Sequence, residues 1–205
     1  MSSASFVRAF MMALTMSVMM VPSIAPALRR HHRALATAGV RTAGRRTAAV
    51  GFGYAAMWTA AGLALFALDA TLRGQQMAAM GASFAPAVTG AVFLCAGALQ
   101  CSRWKANLLS HCRDAFSPAC TVAPRSIGLA WQSGCRLGAR CVSSCIAPTA
   151  ILFVVGLMDV GAMAVITGAI FAERLAADGL QIARLTGALA LGAGLVICAR
   201  AIGMA

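Results

Sequence analysis

The stretch that decides the fold is GARCVSSCIAPTAILFVVGLMD, residues 138–159. It begins beside the positive charge of Arg140 and runs into an apolar segment long enough to cross a bilayer. Cys141 and Cys145 are four residues apart, a spacing that places both thiols on one face of a helix. Thiols are soft metal ligands and also small side chains. The pair therefore predicts either metal binding or a close helix contact.

The composition is that of an integral membrane protein. Of the 205 residues, 60% are hydrophobic and only 11% are charged, and the mean hydropathy is +0.82. A soluble domain needs far more polar surface. The formal charge of +12 comes from basic residues that cluster beside the apolar segments, where they orient a membrane chain and face anionic lipid. We therefore expect the lipid bilayer as a partner and no nucleic acid.

The apolar runs predict an all-α fold, a polytopic transmembrane helical bundle of about six helices. We expect a single integral membrane domain over residues 1–205, with one long cytoplasmic loop over 101–137. Part of that loop, Trp104 to Cys112, is expected to form an interfacial helix, and Asp159 is expected to cap the fifth helix. The six predicted helices span residues 9–28, 47–68, 83–100, 139–157, 159–173 and 185–202.

The distribution of arginine and lysine predicts the orientation of the chain. Fourteen basic residues lie in the first, third and fifth loops or, as Arg140 does, directly beside them, against three on the other side. Cytoplasmic loops carry the excess of basic residues. The long loop and the Cys141 end of the fourth helix are therefore predicted to face the cytoplasm, with both termini outside.

The methionines of the first helix form a second candidate site. Met12, Met16 and Met20 lie at i, i+4 and i+8, on a helix face about 80° wide, with Met11 and Met19 beside it. Thioethers favour Cu(I) over hard cations. The alternative is packing, because methionine is a flexible filler of apolar interiors.

Three further groups are weaker candidates. His111 and Cys112 form a pair in the predicted loop, and they can act only if that loop folds back onto the fourth helix. Cys101 is an additional thiol at the start of the loop. Glu173 lies beside Arg174 near a predicted membrane interface, so we expect it to be solvated, with metal ligation as its alternative role.

The order of these motifs resembles a bacterial family of predicted metal-binding integral membrane proteins, some of which are labelled copper chaperones. The matching motifs are MMALTMSVMMVPSIAP (11–26), GYAAMW (53–58), HCR (111–113), RCVSSC (140–145) and the acid–base pair at 173–174. Family members usually carry Cys where this chain has Leu108 and Ser144. The resemblance implies a multi-pass protein of the bacterial inner membrane. With the motif positions it predicts the metal ligands as Cys112, Cys141, Cys145, His111, Met20 and Met19, with Met16, Cys101 and Glu173 as additional candidates.

The resulting hypothesis is a membrane protein that binds a soft metal near the cytoplasmic side, with Cu(I) favoured and zinc as the alternative. It would pass the metal to or from a partner protein by ligand exchange, without turnover chemistry. Three alternatives stay open: a transporter of metal or a small solute, a thiol–disulfide oxidoreductase, and a structural subunit whose thiols only pack. The oxidoreductase is disfavoured because the thiol pair is predicted to face the reducing cytoplasm.

Overall fold

The computed structural model describes residues 3–79, 85–114, 126–156, 159–176 and 178–203. These described residues form eight α-helices and no strand, which confirms the all-α prediction, although six helices was an approximate count. The helices are α1 (Ser3–Thr37), α2 (Ala43–Ala79), α3 (Ala85–Cys101), α4 (Arg103–Asp114), α5 (Ile127–Ser144), α6 (Ile146–Val155), α7 (Val160–Leu175) and α8 (Gly179–Gly203).

Three of these helices are long and apolar enough to cross a membrane alone, over Ala9–Thr37, Ala43–Thr71 and Gly179–Gly203. A fourth span results if α5 and α6, which are separated by a break at Cys145, cross as one segment. Large apolar side chains stay exposed along these helices, as Leu189 does with 74% of its surface. Exposed apolar surface on this scale suits lipid rather than water, so the fold indicates a membrane protein.

The predicted fourth helix is broken at Cys145. Pro148 has no N–H, so the Ser144 carbonyl cannot receive the hydrogen bond of a continuous helix, and the proline ring crowds that carbonyl. Lys105 supplies the missing donor, because its Nζ lies 2.6 Å from the Ser144 carbonyl oxygen. Cys141 therefore lies in the last turn of α5 and Cys145 lies at the break, instead of both opening one helix.

Much of the predicted loop over 101–137 is helical. The helix expected over Trp104–Cys112 is present as α4, and α5 begins at Ile127 rather than near residue 139. The early start of α5 is explained by a stripe of small buried residues at spacings of three or four. This spacing places them on one helix face, which packs inside the protein. The stripe consists of Ala130, Gly134, Gly138 and Cys141.

The helix α7, which corresponds to the fifth predicted helix, is capped by Asp159 as the sequence indicated. The side chain of Asp159 accepts a hydrogen bond from the backbone N–H of Ala162 at 2.8 Å. An acidic N-cap satisfies one of the open N–H groups of the first turn and complements the helix dipole. Asp159 therefore has a structural explanation that needs no metal.

Contacts divide the chain into two compact units, which are described separately. The first unit is Met1–Leu68 with Ser110–Ser143 and contains α1, most of α2 and nearly all of α5. Its helices approach closely where small residues meet. A Cβ on Gly134 would clash with the Val50 carbonyl, and a Cβ on Gly62 would lie 2.9 Å from Ala13 Cα. Close backbone approach of this kind is how membrane helices pack without a hydrophobic driving force.

The second unit is Asp69–Leu109 with Ser144–Ala205, and it contains α3, most of α4, α6, α7 and α8. Here α3 packs along α8, again through small residues. A Cβ on Gly97 would lie 2.8 Å from the Gly187 carbonyl oxygen. The helices α6 and α7 complete this unit, with α6 against α3 and α7, and α7 against α8.

Candidate functional site

The methionine face of α1 points into the first unit. Met12, Met16 and Met20 keep 6%, 2% and 1% of their surface exposed, whereas Met11 keeps 52%. Met19, one residue from Met20 along the chain, is half-buried. The predicted face of three thioethers therefore exists as a buried stripe.

Two hydrogen bonds fix the register between α1 and α2. Ser17 Oγ lies 3.0 Å from Thr59 Oγ1, and Ser23 Oγ lies 3.2 Å from the Tyr54 hydroxyl. The contacts run in opposite order along the two helices, so α1 and α2 are antiparallel. Met20 lies between Ser17 and Ser23 on α1. It is therefore at the level of the α2 turn between Tyr54 and Thr59.

A chain of hydrogen bonds brings Cys141 of α5 to the same level. The Tyr54 hydroxyl lies 2.8 Å from Cys141 Sγ. On its other side, Ser23 Oγ donates to the Met20 carbonyl at 2.7 Å. Ser23 has one hydroxyl proton, which it donates to the Met20 carbonyl. The Tyr54 hydroxyl is therefore the donor in the hydrogen bond between Tyr54 and Ser23. Cys141 keeps only 1% of its surface exposed, so three helices hold a thiol and a thioether at one depth in an apolar interior.

Trp58 lies in the α2 turn between Tyr54 and Thr59, four residues after Tyr54 and therefore on the same helix face. Only 3% of its surface is exposed. Its indole Nε1 is buried and has no hydrogen-bond partner within the residues that the structure describes. Buried tryptophans usually find an acceptor, so this is an unusual feature.

Cys145 lies in the second unit, beside a cationic side chain. Arg174 donates from Nη2 to Ser144 Oγ at 2.8 Å and to Cys145 Sγ at 3.3 Å. Cys145 keeps 1% of its surface exposed. A guanidinium this close stabilises negative charge on the sulfur. The two thiols of the motif therefore have different partners, a phenol for Cys141 and a guanidinium for Cys145.

The second unit also contains a buried ion pair. Lys105 Nζ lies 2.8 Å from Glu173 Oε2, and both side chains are 3% exposed. The other carboxylate oxygen accepts from Thr186 Oγ1 at 3.0 Å and from Gln100 Nε2. The expectation that Glu173 is solvated near an interface is therefore wrong. Its ion-pair partner is Lys105 of α4, and side chains of α3 and α8, Gln100 and Thr186, contact the other carboxylate oxygen.

The structure brings some of the predicted metal ligands together and not others. Met16, Met20 and Cys141 belong to the first unit, whereas Cys101, Cys145 and Glu173 belong to the second. Cys101 packs at the interface of α3 and α8, with its Sγ 3.8 Å from the Arg184 carbonyl oxygen. The backbone of His111 and Cys112 is in the last turn of α4, but their side chains lie outside the described part of the chain.

Oxygen and nitrogen ligands do not cluster in the part of the chain that the structure describes. There, no group of three or more His, Cys, Asp or Glu side chains is placed to hold a metal ion. No disulfide joins the six cysteines described, which are Cys95, Cys101, Cys135, Cys141, Cys145 and Cys198.

Sequence reasoning missed four polar side chains of the second unit. Lys105, Gln100 and Thr186 surround the Glu173 carboxylate, and Arg174 contacts Cys145. One signal was available, because Lys105 is the single lysine among seventeen basic residues. A lone lysine in an arginine-rich chain indicates a position that arginine does not suit.

The fold and the buried sulfur side chains define an all-helical protein with helices apolar enough to cross a membrane and with thiol and thioether groups in its interior. The chain belongs to the PpoB2 family, described as a copper chaperone, whose family model matches residues 9–197. This confirms the family resemblance read from the motifs. No curated protein and no solved structure matches the chain.

Proposed function

We propose that the protein is a multi-pass protein of the bacterial inner membrane that binds Cu(I) and passes it to a partner protein. The family description supports copper handling, and the three long apolar helices support a membrane location. The observation that carries the proposal is the arrangement in the first unit. Cys141 and Met20, both 1% exposed, lie at one level on α5 and α1, joined through Tyr54 and Ser23.

The donor atoms support Cu(I) as the proposed metal. Thiolate and thioether sulfur prefer soft cations, whereas zinc and harder cations also accept carboxylate oxygen. Residues 3–68 and 126–143 contain no Asp or Glu. We propose Cys141 and Met20 as principal ligands, with Met16 one turn along α1. When copper is bound, the Tyr54 hydroxyl would redirect its one proton from Ser23 to the Cys141 thiolate, which fixes the direction of the sulfur.

Hand-over needs further ligands that can exchange with the first set. Cys145 is the proposed exchange ligand, because it follows Cys141 by four residues and Arg174 stabilises negative charge on its sulfur. Met19, His111 and Cys112 complete the proposed set on the side predicted to be cytoplasmic. The proposal leaves out Glu173 and Cys101, because each already has a partner in the second unit, Lys105 for Glu173 and the Arg184 carbonyl for Cys101.

Copper binding by the full chain in detergent micelles tests the proposal. A Cu(I) complex of a chromophoric chelator would be titrated with the protein without oxygen, and the metal transferred would be counted. We expect near-integral stoichiometry. Cys141→Ser and Met20→Leu should each weaken binding at least roughly tenfold, since even the loss of an outer-shell partner costs about 10- to 100-fold.

Two matched variants control for effects on folding. Met11→Leu removes an exposed thioether from the same helix, and Cys198→Ser removes a half-buried thiol from α8. Both should bind like the parent chain. Equal copper binding by all four variants would mean that the sulfur side chains only pack, and absence of copper from the parent chain would refute the proposal itself.

Transport is the second candidate function, and the buried Lys105–Glu173 pair favours it. Ionisable groups inside membrane proteins are costly and often mark solute or proton pathways. Proteoliposomes that contain the chain and an internal Cu(I) indicator would separate the two functions. A transporter fills the vesicles with copper over many turnovers, whereas a chaperone takes up no more than its binding stoichiometry.

A further inference from the structure

Trp58 is a polar side chain of the first unit that the proposed copper ligands leave unexplained, and it lies on the same face of α2 as Tyr54. It is 3% exposed, and its indole N–H is buried without a partner in the described residues. A residue kept only for packing could be leucine or phenylalanine, which have no N–H to leave unsatisfied. The position therefore carries an indole for a reason other than a hydrogen bond within the folded chain.

The helix register places this indole beside the proposed ligands. Trp58 lies between Tyr54 and Thr59, whose hydrogen bonds to α1 bracket Met20. Tyr54, on the same face of α2, contacts Cys141. The thioether, the thiol and the indole therefore come from three different helices to one depth of the first unit, where each is almost completely buried.

The chemistry of these helices makes an aromatic ring useful. A bound Cu(I) ion would find no carboxylate on residues 3–68 or 126–143, so charge stabilisation must come from sulfur and from aromatic faces. Tryptophan has the strongest attraction for cations of the aromatic side chains, and burial increases it. An indole also excludes water from a site where a soft cation is held by few ligands.

We propose that Trp58 is a copper-contacting residue, whose indole ring covers one face of the Cu(I) ion held by Cys141 and Met20. This inference rests on the proposed function. In the bound state the indole ring would contribute a cation–π contact to the ion. Trp58 then acts in selectivity, since a soft, weakly hydrated cation gains most from an aromatic face.

Fluorescence tests the contact directly, because the chain has three tryptophans, Trp58, Trp104 and Trp131. In a full-length Trp104→Phe/Trp131→Phe variant, Trp58 is the single emitter. Titration with Cu(I) should quench its emission in step with the number of ions bound, ending at the binding stoichiometry. In the matched variant Trp58→Phe/Trp104→Phe the emitter is Trp131, about 15 Å along α5 from Cys141, and its emission should stay nearly constant.

Affinity measurements separate the contribution of the aromatic ring from the contribution of the indole N–H. Trp58→Leu should weaken Cu(I) binding by about twofold to thirtyfold, the range of cation–π contacts, and Trp58→Phe should fall between it and the parent chain. If copper binds at full stoichiometry while Trp58 emission and the affinity of Trp58→Leu are unchanged, the inference is refuted and the proposed function stands. If the parent chain binds no copper, both are refuted.

Discussion

Replacing Lys105 by methionine tests how the second unit is held together. Lys105 has two roles at once, since its ammonium pairs with Glu173 and donates to the Ser144 carbonyl that Pro148 leaves without a partner. Removal of one member of a buried ion pair costs about 3–5 kcal/mol, and an unsatisfied buried carbonyl about 1–3 kcal/mol. The Lys105→Met variant should therefore lose about 4–8 kcal/mol of unfolding free energy.

Thermal unfolding in detergent micelles, followed by circular dichroism, measures this loss. At about 2–4 °C per kcal/mol for a chain of this size, Tm should fall by at least about 8 °C. Arg103→Met is the matched control, because Arg103 is an exposed cation on the same helix, and its Tm should change by less than about 2 °C.

A double variant decides whether the loss comes from charge. Lys105→Met with Glu173→Gln leaves no unpaired charge and only the Ser144 carbonyl without a donor, so it should be more stable than Lys105→Met alone. The reasoning would be refuted if the losses of the two single variants simply added, or if Lys105→Met unfolded within 2 °C of the parent chain.

Two further predictions concern packing and orientation. Gly134→Ala should cost about 1–3 kcal/mol of stability, because the new Cβ meets the Val50 carbonyl. Gly192→Ala is the control, and it should be neutral or slightly stabilising because its Cβ would have no neighbour within 4 Å. Equal unfolding midpoints for the two variants would contradict the close α2–α5 contact. In a cysteine-free background, an impermeant thiol reagent applied to intact cells should label Val160→Cys but not Arg41→Cys, and the opposite pattern would reverse the predicted orientation.

Local and compositional signals predicted the helices of this fold better than the contacts between those helices. The long apolar runs, the buried face of Met12, Met16 and Met20, and the Asp159 cap all follow from spacing along the chain. Pro148 is the sequence signal for the break at Cys145, but the apolar run around it predicts one continuous helix. Length and hydropathy alone do not report the loss of a backbone donor.

The candidate site was less predictable, because its contacts join distant parts of the chain. Glu173 was expected to be solvated because its sequence neighbour is Arg174, yet its ion-pair partner Lys105 comes from α4. In the same way, no spacing rule connects Tyr54 with Cys141, which are 87 residues apart. Such pairings depend on helix register and depth, which sequence periodicity does not specify.

The buried ammonium of Lys105 has a practical consequence for amine chemistry. Because the chain has one lysine, a reagent specific for side-chain amines has a single target. In the folded protein that target is 3% exposed and is held by Glu173 and the Ser144 carbonyl, so acylation must wait until these two contacts open. The rate of acylation at this lysine therefore reports local opening of the second unit, without any engineered probe.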